Sequence, residues 1–113
     1  MATPLADQRC EVCTPDTPTL SPAQAQELLR ELAGWTVVEG DRPAITRKFR
    51  FKGFMPGVEL VDAIARVAEE EGHHPDLLLT YGSLTVWLTT HAAGGLTRND
   101  FVLAAKIDRI RPA

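Results

Sequence analysis

The apolar positions change their spacing along the chain, and each change predicts an element. Leu28, Leu29 and Leu32 recur at helical spacing behind Ser21-Pro22. Ser21 suits an N-cap, Pro22 the first helical position, and Gln24 completes a capping box; Gly34 stops the helix. "WTVVE", from Trp35, reads as a strand and "GDRP" as a turn. "AITRKFRF" then alternates Ile45, Arg47, Phe49 and Phe51 against Thr46, Lys48 and Arg50, a half-buried strand that pairs with the first as a hairpin. A second helix starts near Met55-Pro56, carries a stripe of Leu60, Val61, Ile64, Ala65, Val67 and Ala68, and ends at Gly72 with Pro75 just beyond. "DLLLTY" and "SLTVWLTTH" are two more strands about a turn at Tyr81-Gly82-Ser83. In the second of them Leu84, Val86 and Leu88 share one face, and Thr85, Trp87, Thr89 and His91 the other, so His91 is expected at a strand end. After the flexible link "AAGGL", Thr97 caps a third helix, with Asp100 at its third position and Leu96 stapled to Phe101. That helix is expected to run to about Asp108, with Pro112 closing the chain.

The order is α-β-β-α-β-β-α. Strands that arrive as two hairpins make a four-stranded antiparallel sheet, and three helices packed on one face give a two-layer α+β domain. The domain is expected over 20–113. Residues 1–19, with three prolines, read as a loosely ordered N-terminal arm. A sheet with open edges and one uncovered face points to a homo-oligomer.

Composition narrows the class. The 113 residues are 44% hydrophobic and 24% charged, ordinary for one globular domain. A net charge of -3 offers no basic face for nucleic acid. No apolar run approaches the roughly 18 residues of a membrane span, and "MATPLADQRC" lacks a signal-peptide layout. A cytoplasmic protein is expected. The only cysteines, Cys10 and Cys13 in "CEVC", fit a redox pair, half of a zinc site, or two thiols in a mobile tail; isolated C-x-x-C is weak evidence, and the last reading is preferred.

The candidate chemistry concentrates in "AEEEGHHPD", Ala68–Asp76. Glu69, Glu70 and Glu71 fall in the last helical turn, where the dipole disfavours negative charge by about 0.3–1 kcal/mol each. Two of them read as solvated; at least one is expected to accept a hydrogen bond from a histidine and orient it. His73 and His74 follow the helix-stopping glycine, where the dipole stabilises imidazolium. The third and last histidine, His91, would join them if its strand end adjoins the helix C-terminus. Three imidazoles could form a metal site or a metal-free acid–base set around a polar organic substrate. The chain has no G-x-G-x-x-G, P-loop or H-E-x-x-H pattern and no recognised nucleophile motif, so proton transfer is the simplest chemistry left.

The order E-x-x-x-H-H-P from Glu69 to Pro75, Tyr81, "TTH" ending at His91, "GGLTRND" and "AAKID", with "GW" at Gly34–Trp35, resembles the pterin-4a-carbinolamine dehydratases, the bacterial members most closely. The resemblance covers about residues 20–108. It implies a hydro-lyase, 4a-hydroxytetrahydrobiopterin dehydratase, that removes water from a 4a-hydroxy-tetrahydropterin to give the quinonoid dihydropterin and so supports tetrahydrobiopterin recycling. It implies no metal and no organic cofactor, and assembly as dimers or tetramers. By the same resemblance His73, His74 and His91 are the catalytic acid–base residues. Glu69 orients a histidine, Thr89 and Thr90 flank the pterin, and Asp100 supports the pocket.

The chain departs from vertebrate members, which carry an acid just before the histidine pair and a glutamate after the third histidine. Here those positions are Gly72 and Ala92. Vertebrate members also carry a basic residue before the helix-three aspartate, where this chain has Asn99. These changes bear on secondary pterin contacts. The alternative reading is a non-catalytic relative, as the family includes a transcription-factor dimerisation cofactor and RuBisCO assembly factors. Retention of all three histidines favours the enzyme.

Overall fold

A computed structural model describes residues 4–110. Its elements are α1 (Pro22–Leu29), β1 (Thr36–Val38), β2 (Ala44–Arg50), α2 (Met55–Glu71), β3 (Asp76–Thr80), β4 (Ser83–Leu88) and α3 (Arg98–Ile110). The strands form one antiparallel sheet in the order β1-β2-β4-β3. Each expected hairpin is present, and the two meet through β2 and β4, with Ile45 opposite Leu88 and Phe49 opposite Leu84. The fold is the expected α+β arrangement of three helices and a four-stranded antiparallel sheet.

The core lies between the sheet and the helices because the period-two and period-3.6 faces coincide there. Ile45, Phe49, Leu84, Val86 and Leu88 come from the sheet, Leu60, Ile64 and Ala68 from α2, and Phe101, Leu103, Ala104 and Ile107 from α3; all are buried. Burial of side chains of this size contributes about 1.5–3 kcal/mol each. Arg47 occupies the core row of β2 between Ile45 and Phe49. Its guanidinium stays there by stacking over the Phe49 ring at 4.6 Å and by donating to Asp108 at 2.9 Å and to the Ala33 carbonyl at 3.2 Å. The Trp35 indole N–H donates to both oxygens of the same carboxylate at 3.0 Å. Asp108 therefore ties the end of α3 to the start of the sheet.

Local boundaries differ from expectation in four places. The α1 capping box is present, with Ser21 Oγ accepting from Gln24 N and Gln24 Oε1 from Ser21 N. But α1 ends at Leu29, not Gly34. Residues 30–32 tighten into i→i−3 turns, which swing Leu32 into the core. Gly34 still matters, with φ +92° and a would-be Cβ 3.0 Å from the Arg47 guanidinium. Second, the β3–β4 turn is Tyr81-Gly82 alone, since Ser83 already pairs with Thr80. Third, β4 ends at Leu88. Thr90 makes only an isolated bridge to Gly95, so His91 sits in the turn between them. Fourth, α3 continues to Ile110; Pro112 lies outside the described residues.

Residues 5–13, in a stretch expected as loosely ordered, are laid along α3. Leu5, in a single 3-10 turn (Leu5–Asp7), is buried in the core. Basic residues of α3 grip the segment. Arg109 pairs with Asp7 at 2.6 Å, Lys106 donates to the Ala6 carbonyl at 2.9 Å, and Arg98 donates to the Gln8 amide oxygen at 2.7 Å. A proline-rich composition hides this docking, because the anchors are cations on a helix some 90–100 residues later.

Asp108→Ala is expected to leave both Trp35 Nε1 and Arg47 short of an acceptor and to lower the unfolding free energy by about 1–3 kcal/mol. Urea denaturation reads this; an unchanged midpoint would show that the Asp108 link carries no stability.

Candidate active site

The end of α2 sets the site. Gly72 takes the left-handed conformation, φ +65° and ψ 29°. Its N–H bonds back to the Glu69 carbonyl at 3.3 Å, and the His73 N–H to the Ala68 carbonyl at 3.2 Å. This pair of bonds is a Schellman ending, and it fixes where His73 leaves the helix.

His73 then meets the start of α3. Its Nε2 lies 2.6 Å from Asp100 Oδ1. Asp100 has no solvent exposure, and its other oxygen accepts from Thr90 Oγ1 at 2.8 Å and from the Thr97 N–H at 3.0 Å. Thr97 Oγ1 bonds Thr90 Oγ1 at 2.8 Å. Since the one Thr90 hydroxyl proton goes to the carboxylate, Thr97 is the donor of that pair. A carboxylate only accepts, so His73 donates through Nε2–H and keeps Nδ1 as its proton-accepting nitrogen. His74 repeats the arrangement nearer solvent, with Nε2 2.6 Å from Glu69 Oε1.

All three histidines line one cleft of about 300 Å³, with Gly72, Thr89, Thr90 and Ala92. Every residue expected at the site is therefore at this end of the molecule, in distinct places. His73, His74 and His91 border the cleft. Thr89 and Thr90 border it too, but with committed hydroxyls, since Thr89 Oγ1 donates to the Pro43 carbonyl at 2.8 Å. Glu69 and Asp100 stand behind the histidines and outside the lining. Among the described residues no three His, Cys, Asp or Glu side chains are grouped to hold a metal ion.

The remaining wall comes from the arm, to which sequence reasoning gave no role at the site. Glu11, Val12 and Cys13 line the cleft. Asn99, at the start of α3, clamps them: its Oδ1 accepts from the Glu11 N–H at 2.9 Å, and its Nδ2 donates to the Glu11 carbonyl at 2.7 Å. One residue earlier, the Cys10 N–H donates to Glu71 Oε1 at 2.8 Å. Glu71 is not a solvated acid. Its side chain is only 6% exposed and also faces Arg9 at 3.0 Å and Lys106 at 3.7 Å. A signal for this was present, because Glu71 lies three residues past Ala68 on the buried face of Leu60, Ile64 and Ala68. Asn99 and the Glu11 backbone offered none, since an amide reading a backbone 88 residues away leaves no local pattern.

Cys10 and Cys13 are free thiols. Burial, reinforced by the Glu71 and Asp100 charges, pushes the Cys10 thiol up to about 12, so it stays protonated at neutral pH. Neither cysteine lies in a mobile tail, since the backbone between them is the clamped segment.

The fold and site together define a small α+β protein with a histidine–carboxylate cleft where α2, the β4–α3 loop and the N-terminal arm meet. Residues 18–110 match the family model described as pterin 4 alpha carbinolamine dehydratase, and the chain belongs to that family. A Gloeobacter violaceus protein that provisionally carries the family name is 43% identical over 107 residues, spanning 94% of this chain and 92% of that relative. The crystal structure of a transcriptional coactivator/pterin dehydratase from Brucella melitensis superposes with a TM-score of 0.78 at 36% identity, over 84% of this chain and 100% of that one. A pterin dehydratase-like protein identified as a RuBisCO assembly factor in the alpha-carboxysome shares the fold, with a TM-score of 0.61 at 20% identity over 73% and 94% of the two chains.

The arm's docking is expected to be acid-sensitive. Burial raises the Glu71 pKa, but the Cys10 N–H, Lys106 and Arg9 outweigh it, so the folded value lies below the ordinary 4.5. A lowered folded pKa means stabilisation that is complete above the ordinary value and lost as pH falls through the folded one. The Cys10 amide proton, followed by NMR, should titrate with a midpoint below 4.5, and this titration should vanish in Glu71→Gln. A midpoint at or above the ordinary value contradicts the contact.

Proposed function

We propose that this protein dehydrates a 4a-hydroxy-tetrahydropterin to the quinonoid dihydropterin and water, using histidine acid–base catalysis. The observation that carries the reading is that all three histidines of the chain line one cleft, two of them each held by a carboxylate at 2.6 Å. Family membership supplies the substrate class.

The reaction breaks the C4a–oxygen bond. The hydroxyl leaves as water once it has gained a proton, and a ring nitrogen gives up a proton as the new double bond forms. Both transfers need groups that change charge near neutral pH, which suits imidazole. In a carboxylate-backed ring Nε2–H is fixed and Nδ1 is open. When Nδ1 takes the proton, the carboxylate stabilises the imidazolium. His73 on Asp100 and His74 on Glu69 fit that description, and His91, without such a partner among the described residues, completes the set. Glu69 and Asp100 are positioning residues in this reading, while Thr89 and Thr90 form the wall beside the pterin.

The exposed Val38 and Leu78 lie on the uncovered face of the sheet, and β1 and β3 are its open edges. These features support a homodimer or homotetramer.

Purified protein is expected to accelerate loss of water from 4a-hydroxy-tetrahydropterin, followed by absorbance. His73→Gln and His74→Gln keep an N–H for the carboxylate and remove proton transfer; each should lower the rate by roughly tenfold or more. Wild-type protein no faster than buffer would leave a non-catalytic, binding or assembly role instead. Sedimentation at micromolar concentration is expected to give the mass of two or four chains, and a concentration-independent monomer contradicts the assembly.

A further inference from the structure

The cleft contains a single carboxylate among its lining residues, and it comes from the arm. Thr89, Thr90 and Asn99 border the cleft with side-chain polar atoms already engaged by protein groups, and His73 is engaged through Nε2. Glu11 differs, because no hydrogen bond or ion pair engages its side chain among the described residues. Its backbone is nevertheless held on both sides by the nearly buried Asn99 amide, so the residue is fixed while its carboxylate is free. The same lining includes Gly72 and Ala92, so neither neighbour of the histidines supplies an acid there.

A 2-amino-4-oxo heterocycle presents two parallel N–H donors, the ring N3–H and the exocyclic amine. Two carboxylate oxygens match that edge in a bidentate pair, and an anionic acceptor makes such bonds stronger than neutral ones. We propose that Glu11 is a specificity-determining residue of the cleft, its carboxylate accepting the donor edge of the aminopyrimidinone ring. The clamped arm is thus part of the substrate site, supplying from outside the histidine core the acid that positions 72 and 92 lack. Asn99 acts as the positioning residue that holds Glu11 at the rim. The inference rests on the pterin reading of the cleft.

The test is equilibrium binding, which needs no turnover. Fluorescence titration compares biopterin with the lumazine of the same side chain, whose 2-oxo group replaces the amine and turns a donor into an acceptor. Wild-type protein is expected to prefer the pterin by roughly tenfold or more. Glu11→Gln presents one acceptor and one donor, which suits the lumazine edge, so the preference should vanish or reverse; Glu11→Ala should abolish it. The arm's backbone bonds do not involve the substituted atoms, and circular dichroism verifies the fold. Equal pterin preference in wild type and Glu11→Gln, with dehydration intact, overturns the Glu11 assignment and leaves the proposed reaction standing. Glu11-dependent pterin preference without turnover supports the assignment and overturns the dehydration. Wild-type protein that binds neither heterocycle overturns both.

Discussion

The fully buried Asp100 carboxylate holds this end of the molecule together. It accepts from the Thr90 hydroxyl, the Thr97 N–H and the His73 ring, which belong to the β4–α3 loop, the cap of α3 and the end of α2. A buried carboxylate without such partners would cost several kcal/mol. The three segments therefore have to arrive together, and no buried side-chain polar atom is left unsatisfied among the described residues. The position of His73 is thus a consequence of solvating Asp100 as much as of ending α2 at Gly72.

The two histidine–carboxylate pairs have equal lengths but different physics. His73–Asp100 is almost wholly removed from water, so its geometry is tightly specified and loss of either partner strands the other. His74–Glu69 is mostly exposed, screened by solvent and salt, and adds little to stability. One ring is consequently fixed and the adjacent one adjustable. Such a pair suits a site that must accept a ligand and still control where one proton resides.

Much of this was readable from the chain, for identifiable reasons. The Ser21 capping box, the glycine–proline ending at Gly72 and Pro75, and the alternation through Ile45 and Phe49 are local patterns, and local patterns predicted every α-helix and strand. What escaped was either a boundary or a long-range contact. α1 stopped early because bringing Leu32 inward requires a tighter turn than an α-helix provides. His91 left the strand because pairing beyond Leu88 narrows to the single Thr90–Gly95 bridge. The convergence of the histidines needed the register of β4 against β2, which the pattern implies only once both hairpins are placed in one sheet.

The run of three glutamates shows how helical phase separates residues that composition treats as alike. Glu69 faces His74, and Glu70 faces solvent. Glu71, three residues past Ala68 on the buried stripe, turns inward against Cys10, Arg9 and Lys106. A buried anion at a helix C-terminus opposes the dipole, so its presence needs compensation that the helix itself cannot supply. The arm provides it through a backbone N–H and a guanidinium, and α3 adds the Lys106 ammonium. The cost of placing Glu71 there is offset in full only while the arm is docked. Arm and helix end are therefore mutually dependent, and the wall that Glu11 to Cys13 contribute to the cleft is built into the fold.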